Sequence, residues 1–430
     1  MSNTASTERI QSFRFKLMPA PAQEAALEQV ASSCRWVWNE AVTLQEVLRE
    51  AGLPRLSFAA MSRLVTVWRR LHPWLTVGTS DAQSDVVRRL DRAYRNAFEF
   101  PERGFPQRKK RGRCREGFTD RQCIGVDVEN GRVRLPKLGW FRYRNSRPVL
   151  GVVKQVRVSK RQDGWYVSLQ TQRTVGASPH PRAESIVGVD LGVASFATCS
   201  DGEVFPAVNA FRVIERRLAR AQRVASRRVR GSANHAKALH RVARVHARAA
   251  NVRTHHLHVV STTIAKSHGT VVLEDLNVSG MAAGGGAKKR GLNKAIHDQG
   301  WASFRQMLQY KTTWNGGRLI VVPAAYTSRT CPACGHVARE NRPSQAVFLC
   351  VACGYAGHAD AVASLNILAA GHAVIACGGH PEVAGPSKQE PTRGTAEGAI
   401  PSVELPRARA AGGCQEDTTH DNPTTTEKSR

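Results

Sequence analysis

From residue 9 to 18 apolar and charged side chains alternate, with Phe13, Phe15 and Leu17 on one face and Arg14 and Lys16 on the other. A period of two predicts a half-exposed strand, which ends at Pro19. From Gln23 to Glu50 the apolar residues Leu27, Val30, Val37, Ala41 and Leu44 recur at near-helical spacing. That spacing predicts a helix, and further helices are expected over 57–70 and 81–99. Pro106–Arg113 reads as a basic loop. Between Gly125 and Thr174 the period falls back to two, and Val152–Val158 and Trp165–Gln170 flank Asp163-Gly164, a hairpin turn signal. These segments predict a small β domain to which the first strand returns, followed by a linker over 176–184 that holds Pro179 and Pro181.

A different pattern begins at Ser185. Ile186–Val189 and Val193–Cys199 read as a strand pair, and Val271–Leu273 and Leu319–Val322 as buried strands. Arg212–Val260 is rich in Arg, Ala and His and is divided by Gly231-Ser232. Its apolar positions, among them Leu218, Ala221, Ala225, Leu239 and Val242, are few and mostly small, which predicts a basic helical hairpin packed on one side. Its charge fits either a solvated face or a surface turned to nucleic acid. Residues 280–291 read as a flexible basic stretch and 299–314 as a helix. From residue 378 onward Pro, Gly, Thr and charged side chains dominate, so 378–430 is expected to be a disordered tail.

Composition sharpens the picture. The 430-residue chain is long enough for two or three domains and carries a formal net charge of +29. A polyanionic partner is the natural reason for such an excess, since each phosphate contact releases counterions; a ribosome-associated protein would show the same balance. No uninterrupted apolar stretch near 18 residues is evident, which argues against a membrane span. The N-terminus lacks the charged start and apolar core of a signal peptide, so a cytoplasmic protein is expected, nucleoid-associated when on DNA. In that compartment cysteines bind metal more often than they pair as disulfides.

Three acidic residues stand out. Asp190 lies in Ile186–Gly192, Glu274 closes the run Val271-Val272-Leu273, and Asp360 opens the apolar run 361–367 that reads as a helix. Carboxylates brought together by a sheet and a helix can hold two divalent metals ~4 Å apart over a phosphodiester. Each has a structural alternative: Asp190 as a turn residue, Glu274 or Asp275 as a helix cap, Asp360 as an N-cap. Cys331-Pro332-Ala333-Cys334-Gly335 and Cys350-Val351-Ala352-Cys353-Gly354 are two CxxCG knuckles fifteen residues apart. Four thiolates can close a tetrahedral zinc site with no open position, which makes it structural rather than catalytic. Cys34, Cys114, Cys123, Cys199, Cys377 and Cys414 lack such spacing and read as free thiols. Trp36, Trp38, Trp68, Trp74 and Trp140 fit core packing or base stacking. His255, His256 and His258 have no partnering metal motif and read as part of the hairpin.

These residues together resemble TnpB (also called OrfB), the insertion-sequence protein related to type V CRISPR effector nucleases. The resemblance spans about residues 9–371. It is carried by Phe13–Pro19, Arg35-Trp36-Val37-Trp38-Asn39, Leu135-Pro136-Lys137-Leu138-Gly139, Gly188–Gly192, Leu273–Leu276 and Trp301 through Tyr310-Lys311. It continues with Tyr326–Cys331, the four cysteines, Asp360 and Asn366-Ile367. Arg329 stands where the family commonly has Gln.

The resemblance implies an α/β architecture: an RNase H-like (RuvC) nuclease domain with an inserted zinc ribbon, preceded by an N-terminal β domain that carries a helical insertion. The corresponding boundaries are 9–20 with 115–175 for the wedge-like β domain and 21–114 for the helical insertion. The nuclease domain takes 185–327 with 357–377, and the zinc ribbon 328–356. It further implies an RNA-guided, magnesium-dependent DNA endonuclease of a transposable element, for which a companion transposase at the same element is a possible partner; a monomer is expected, with the oligomeric state left open. Guide RNA from the element's end pairs with the double-stranded target DNA, and the protein reads a short flanking motif. Asp190, Glu274 and Asp360 are then the catalytic, magnesium-holding carboxylates, and Cys331, Cys334, Cys350 and Cys353 hold zinc. Two other readings remain: a strand-joining transposase using the His256-Leu257-His258 spacing with a tyrosine nucleophile, and a catalytically inactive zinc-ribbon regulator that binds DNA or RNA.

Overall fold

Alternation in the first segment becomes β1 (Ser6–Lys16), followed by three helices, α1 (Pro21–Glu50), α2 (Phe58–Leu71) and α3 (Ser80–Glu99). Six strands come next: β2 (Gly117–Asp120), β3 (Gly125–Asp127), β4 (Arg132–Leu135), β5 (Gly139–Arg142), β6 (Val152–Arg161) and β7 (Gly164–Gly176). In this computed structural model the described residues are 6–377 apart from 113, 115, 122–124, 177, 284 and 285. The tail expected to be disordered, residues 378–430, lies outside them, as do Cys123 and Cys414.

β1 pairs antiparallel with β7 along its length, and the sheet continues through β6 to β2, while β3, β4 and β5 form a second small sheet. Phe13, Phe15 and Leu17 are buried with Trp165, Val167 and Leu169 of β7, and this core merges with Leu27 and Val37 of α1 and Leu90 of α3. α1 starts at Pro21, where the missing N–H is not needed for a helical bond, and the Gln23 side chain accepts from the Ala20 amide. On α3 the buried Asp85 and Asp91 neutralise nearby cations: Arg89 lies 3.0 Å from Asp85, and Arg55 2.7 Å from Asp91.

The second half holds β8 (Ile186–Leu191), β9 (Ser195–Cys199), β10 (Val204–Pro206), α4 (Ala210–Ser226), α5 (Ala233–Ser267) and β11 (Thr270–Glu274). After these come α6 (Val278–Ala282), α7 (Ala287–Gln299), α8 (Trp301–Trp314), β12 (Arg318–Val322), β13 (Val347–Leu349), β14 (Ala356–His358) and α9 (Ala359–Ala376). Five strands form one sheet in the order β10-β9-β8-β11-β12; β8, β11 and β12 run parallel, and β9 is antiparallel to both neighbours. Period-two alternation sends Val187, Val189 and Leu273 to the face covered by α5 and α8, with Leu257, Ile264, Phe304 and Leu308. Val272, Ile320 and Val322 face Ile367 of α9 on the other side.

Glycine lets α9 lie this close. A Cβ at Gly188 of β8 would stand 2.3 Å from the Ser364 carbonyl oxygen and 2.6 Å from the Leu368 nitrogen, both backbone atoms of α9. A Cβ at Gly371 would meet the Val272 side chain at 2.4 Å. Any larger residue at either position would push the helix away from the sheet.

Two expectations are corrected. Residues 280–291, read as flexible, include parts of α6 and α7, because the Asn277 side chain caps α6 by accepting from the Gly280 amide. Leu239, expected on the packed side of the hairpin, is 48% exposed; α5 instead buries Ala238 and turns Val245 and Ala249 inward against Ile214 and Leu218. α9 is long and apolar enough by length and composition to cross a membrane, with a mean hydropathy of 1.5. Its apolarity serves the sheet-facing core, where Val362 and Ile367 are buried.

Candidate active site and metal centre

β8 and β11 are parallel neighbours with Val189 opposite Leu273, so Asp190 and Glu274 follow side by side at the C-terminal ends of the two strands. α9, pressed onto β8 at Gly188, brings in Asp360 from its first turn, where the helix dipole favours a carboxylate. Burial pushes the Asp190 carboxyl up to about 7, and the neighbouring Glu274 and Asp360 push the same way, against Arg342 and the Leu191 amide. Burial also raises Glu274, while a hydrogen bond donated by the Thr327 hydroxyl pulls it down. Arg342 Nη2 lies 3.6 Å from Asp360 Oδ1.

The structural alternatives for these residues do not hold here. Asp190 sits inside β8 rather than in a turn, Glu274 is the last residue of β11, and the N-cap of α9 is His358. Asp275 turns outward to Arg305, with its side chain 61% exposed. Thr327 and Arg342 give no isolated signal in the sequence, since each reaches its carboxylate only through the fold. Asn366 is explained as well: its side-chain amide donates to the Thr327 and Thr330 carbonyls, each at 2.7 Å, tying α9 to the loop that contacts Glu274.

Do these residues suit a divalent cation? Three hard oxygen donors share a half-buried site with one nearby guanidinium, and the like charges raise Asp190. A bound cation would relieve that penalty, so the donor set fits a magnesium-type ion. Between about pH 4 and 7 the folded metal-free protein holds a proton on Asp190 that the unfolded chain has lost. Stability therefore falls as pH rises through this window. We expect the EDTA-treated protein to melt at a lower temperature at pH 8 than at pH 5.5, and Asp190→Asn to flatten that dependence. An unchanged pH profile in the variant would contradict the assignment.

The cysteine quartet is tighter. Among the described residues it is the group of three or more ligand-type side chains whose atoms all lie within 4.8 Å of one another. Cys331 and Cys353 stand 3.6 Å apart at sulfur, as do Cys334 and Cys350. That is too long for a disulfide and near the ~3.8 Å that a tetrahedron of ~2.3 Å Zn–S bonds requires, so the cluster could bind zinc. Both knuckles fold alike, with Gly335 and Gly354 at φ 73° and their amides donating to the carbonyls of Cys331 and Cys350. Asn341, fully buried and given no weight by sequence reasoning, links them: its amide donates to the Arg329 and His336 carbonyls, and its oxygen accepts from the Val351 amide.

His256 and His258 lie two apart on α5, so they point to nearly opposite faces and do not converge on one metal. His256 packs edge-on against Phe196 instead. Of the tryptophans, Trp38 is buried and donates to the Gln107 carbonyl, and Trp36 packs edge-to-face with Trp68 and Trp74. Trp74 and Trp140 are each 49% exposed.

An α/β sheet with carboxylates at its strand ends, followed by a four-cysteine segment, defines the class of protein: an effector-type fold. Among solved structures the chain is similar to a Cas12f1–sgRNA–target DNA complex, with a TM-score of 0.51 and 14% identity over 81% of this chain and 83% of that one. Family models match as "Probable transposase" of the OrfB/IS605 type at residues 155–283 and "Cas12f1-like, TNB domain" at 301–367. A "Helix-turn-helix domain" model matches 9–53, which in this chain form β1 and α1 rather than two helices. The chain is 44% identical over 397 residues to "Putative RNA-guided DNA endonuclease InsQ" of Escherichia coli K12, covering 90% of this chain and 98% of that protein. It is 32% identical to a Streptomyces pristinaespiralis protein of the same description, over 89% of this chain and 97% of that protein. The chain belongs to the OrfB/TnpB family of insertion-sequence proteins.

Proposed function

We propose that this protein is an RNA-guided, magnesium-dependent DNA endonuclease of a transposable element, cutting target DNA beside a short flanking motif through one RuvC site. The observation that carries the reading is the convergence of Asp190, Glu274 and Asp360 from β8, β11 and α9, in a chain of this family. The strand order β10-β9-β8-β11-β12, with three strands joined by antiparallel pairings followed by parallel β11 and β12, supports an RNase H-like domain. The cysteine segment between β12 and α9 supports a zinc ribbon inserted into it. The β1–β7 sheet with α1–α3 supports a β domain bearing a helical insertion.

Asp190, Glu274 and Asp360 would hold magnesium, which supplies activation of the attacking water and charge stabilisation at the leaving oxygen. The protein's own part is positioning. The sheet sets the spacing of Asp190 and Glu274, the Gly188 contact sets Asp360, and Thr327 orients Glu274. Sequence choice would be delegated to base pairing, so the chain needs mainly backbone contacts, in keeping with its +29 charge. The test is to co-express the protein with its flanking element DNA, sequence the RNA that co-purifies, and use it in a magnesium-dependent plasmid cleavage assay. One discrete RNA and a guided cut are expected; heterogeneous RNA and no cut would favour a binding protein instead.

A further inference from the structure

Three non-glycine residues among those described have a positive φ: Lys137, Asn209 and Tyr326, the last at 63°. Asparagine adopts this left-handed region readily. For a bulky side chain it costs energy and marks a position where something else requires the residue. Tyr326 also differs from the other five tyrosines. Tyr94, Tyr143, Tyr310 and Tyr355 pack against Phe105, Phe15, Trp314 and Phe348, and Tyr166 lies under the Arg14 guanidinium. Tyr326 is 64% exposed, and its ring has no aromatic or cationic partner among the described residues.

Its place is fixed from both sides. β12 pairs with β11 so that Val322 stands opposite Glu274, and the loop that holds Tyr326 therefore leaves the sheet at the carboxylate site. The Tyr326 carbonyl accepts from the Arg329 and Thr330 amides at 2.9 and 3.1 Å and from the Thr330 hydroxyl at 2.9 Å. The next residue, Thr327, donates to Glu274, and Asn366 of α9 holds the Thr327 and Thr330 carbonyls. The contacts that set Glu274 thus also hold this exposed ring in the adjoining loop. A strand whose phosphate reaches the carboxylates must place its neighbouring bases, and a fixed exposed ring is a stacking surface that any base can use. We propose that Tyr326 stacks on a base flanking the phosphate that is cut and so seats that phosphate over Asp190, Glu274 and Asp360. This rests on the nuclease reading for the identity of the strand, and adds a DNA contact residue at the site itself.

The test uses the full chain with its co-purified RNA and a guided target whose cut position has been mapped. An abasic nucleotide is placed at each position flanking the cut in turn. At one position it should slow single-turnover cutting by the native protein on the order of tenfold, the scale of one lost base–aromatic stack. Tyr326→Ala should slow cutting of intact DNA as much and be indifferent to that abasic nucleotide, whereas Tyr326→Phe should cut at the native rate. Tyr326→Gly removes the backbone strain together with the ring, so it should melt no lower than Tyr326→Ala and still cut slowly. Native-rate cutting by Tyr326→Gly or Tyr326→Ala, or equal abasic slowing with and without the ring, overturns the proposal. A second measurement does not depend on cutting. Single-stranded DNA carrying iododeoxyuridine, irradiated on the native protein with calcium in place of magnesium, should crosslink at Tyr326; no crosslink there also overturns the proposal. Failure of the nuclease reading looks different: the native protein then makes no guided cut in intact DNA, while the crosslink at Tyr326 persists.

Discussion

Asp190→Asn is expected to lower guided DNA cleavage on the order of 10³-fold or more, in line with the loss of a residue that acts as part of a unit. The substitution keeps shape and removes the charge, so the packing of β8 on β11 and α9 is preserved. RNA binding should stay near native, because the basic surfaces lie elsewhere on the chain. The metal-free variant should also be more stable than the native protein above pH 7, since it no longer keeps a charged carboxylate beside Glu274 and Asp360. Asp360→Asn should behave alike in the cleavage assay. Guided cutting that persists at native rate in both variants, measured as single-turnover plasmid nicking, would remove the carboxylates from the catalytic role.

Cys350→Ser has the second large consequence. Cys350 is buried with Cys331 and packs with Phe348 against Ala359 and Val362 at the start of α9. Loss of one thiolate opens a four-ligand site, and the binding free energy of a structural zinc is also folding free energy. The variant should purify with little or no zinc by elemental analysis and melt several degrees lower. Cutting should fall too, although Cys350 touches no carboxylate, because α9 carries Asp360 and Arg342 sits on the segment between the knuckles. Native zinc content together with an unchanged melting temperature would show that the quartet is not a metal site.

Much of the site was legible because its signals are local. Alternation in 9–18 requires only that Phe13, Phe15 and Leu17 share a face, and the spacing in 23–50 requires only one helical stripe. The CxxCG repeats declare four thiolates on two tight turns whatever surrounds them. Asp190 and Glu274 stood at the ends of aliphatic runs, and the parallel strands then made them neighbours. Other features were hidden because they depend on distant partners. Leu239 looked as apolar as Val245, yet which of them is buried depends on the face of α5 that packs on α4. The Gly-rich stretch near 280 looked unstructured until a cap from Asn277 closed a turn.

The chain's own pattern thus determined most of its element types, its excess of positive charge and its two sets of candidate ligands, since each follows from nearest-neighbour periodicity or residue chemistry. Only the tertiary structure decided that Glu274 rather than Asp275 faces Asp190, and that Thr327 and Arg342 reach the carboxylates. The physical reason is close packing between elements far apart in sequence. Gly188 brings the backbone of α9 against β8, and Gly371 seats the same helix on the Val272 side chain.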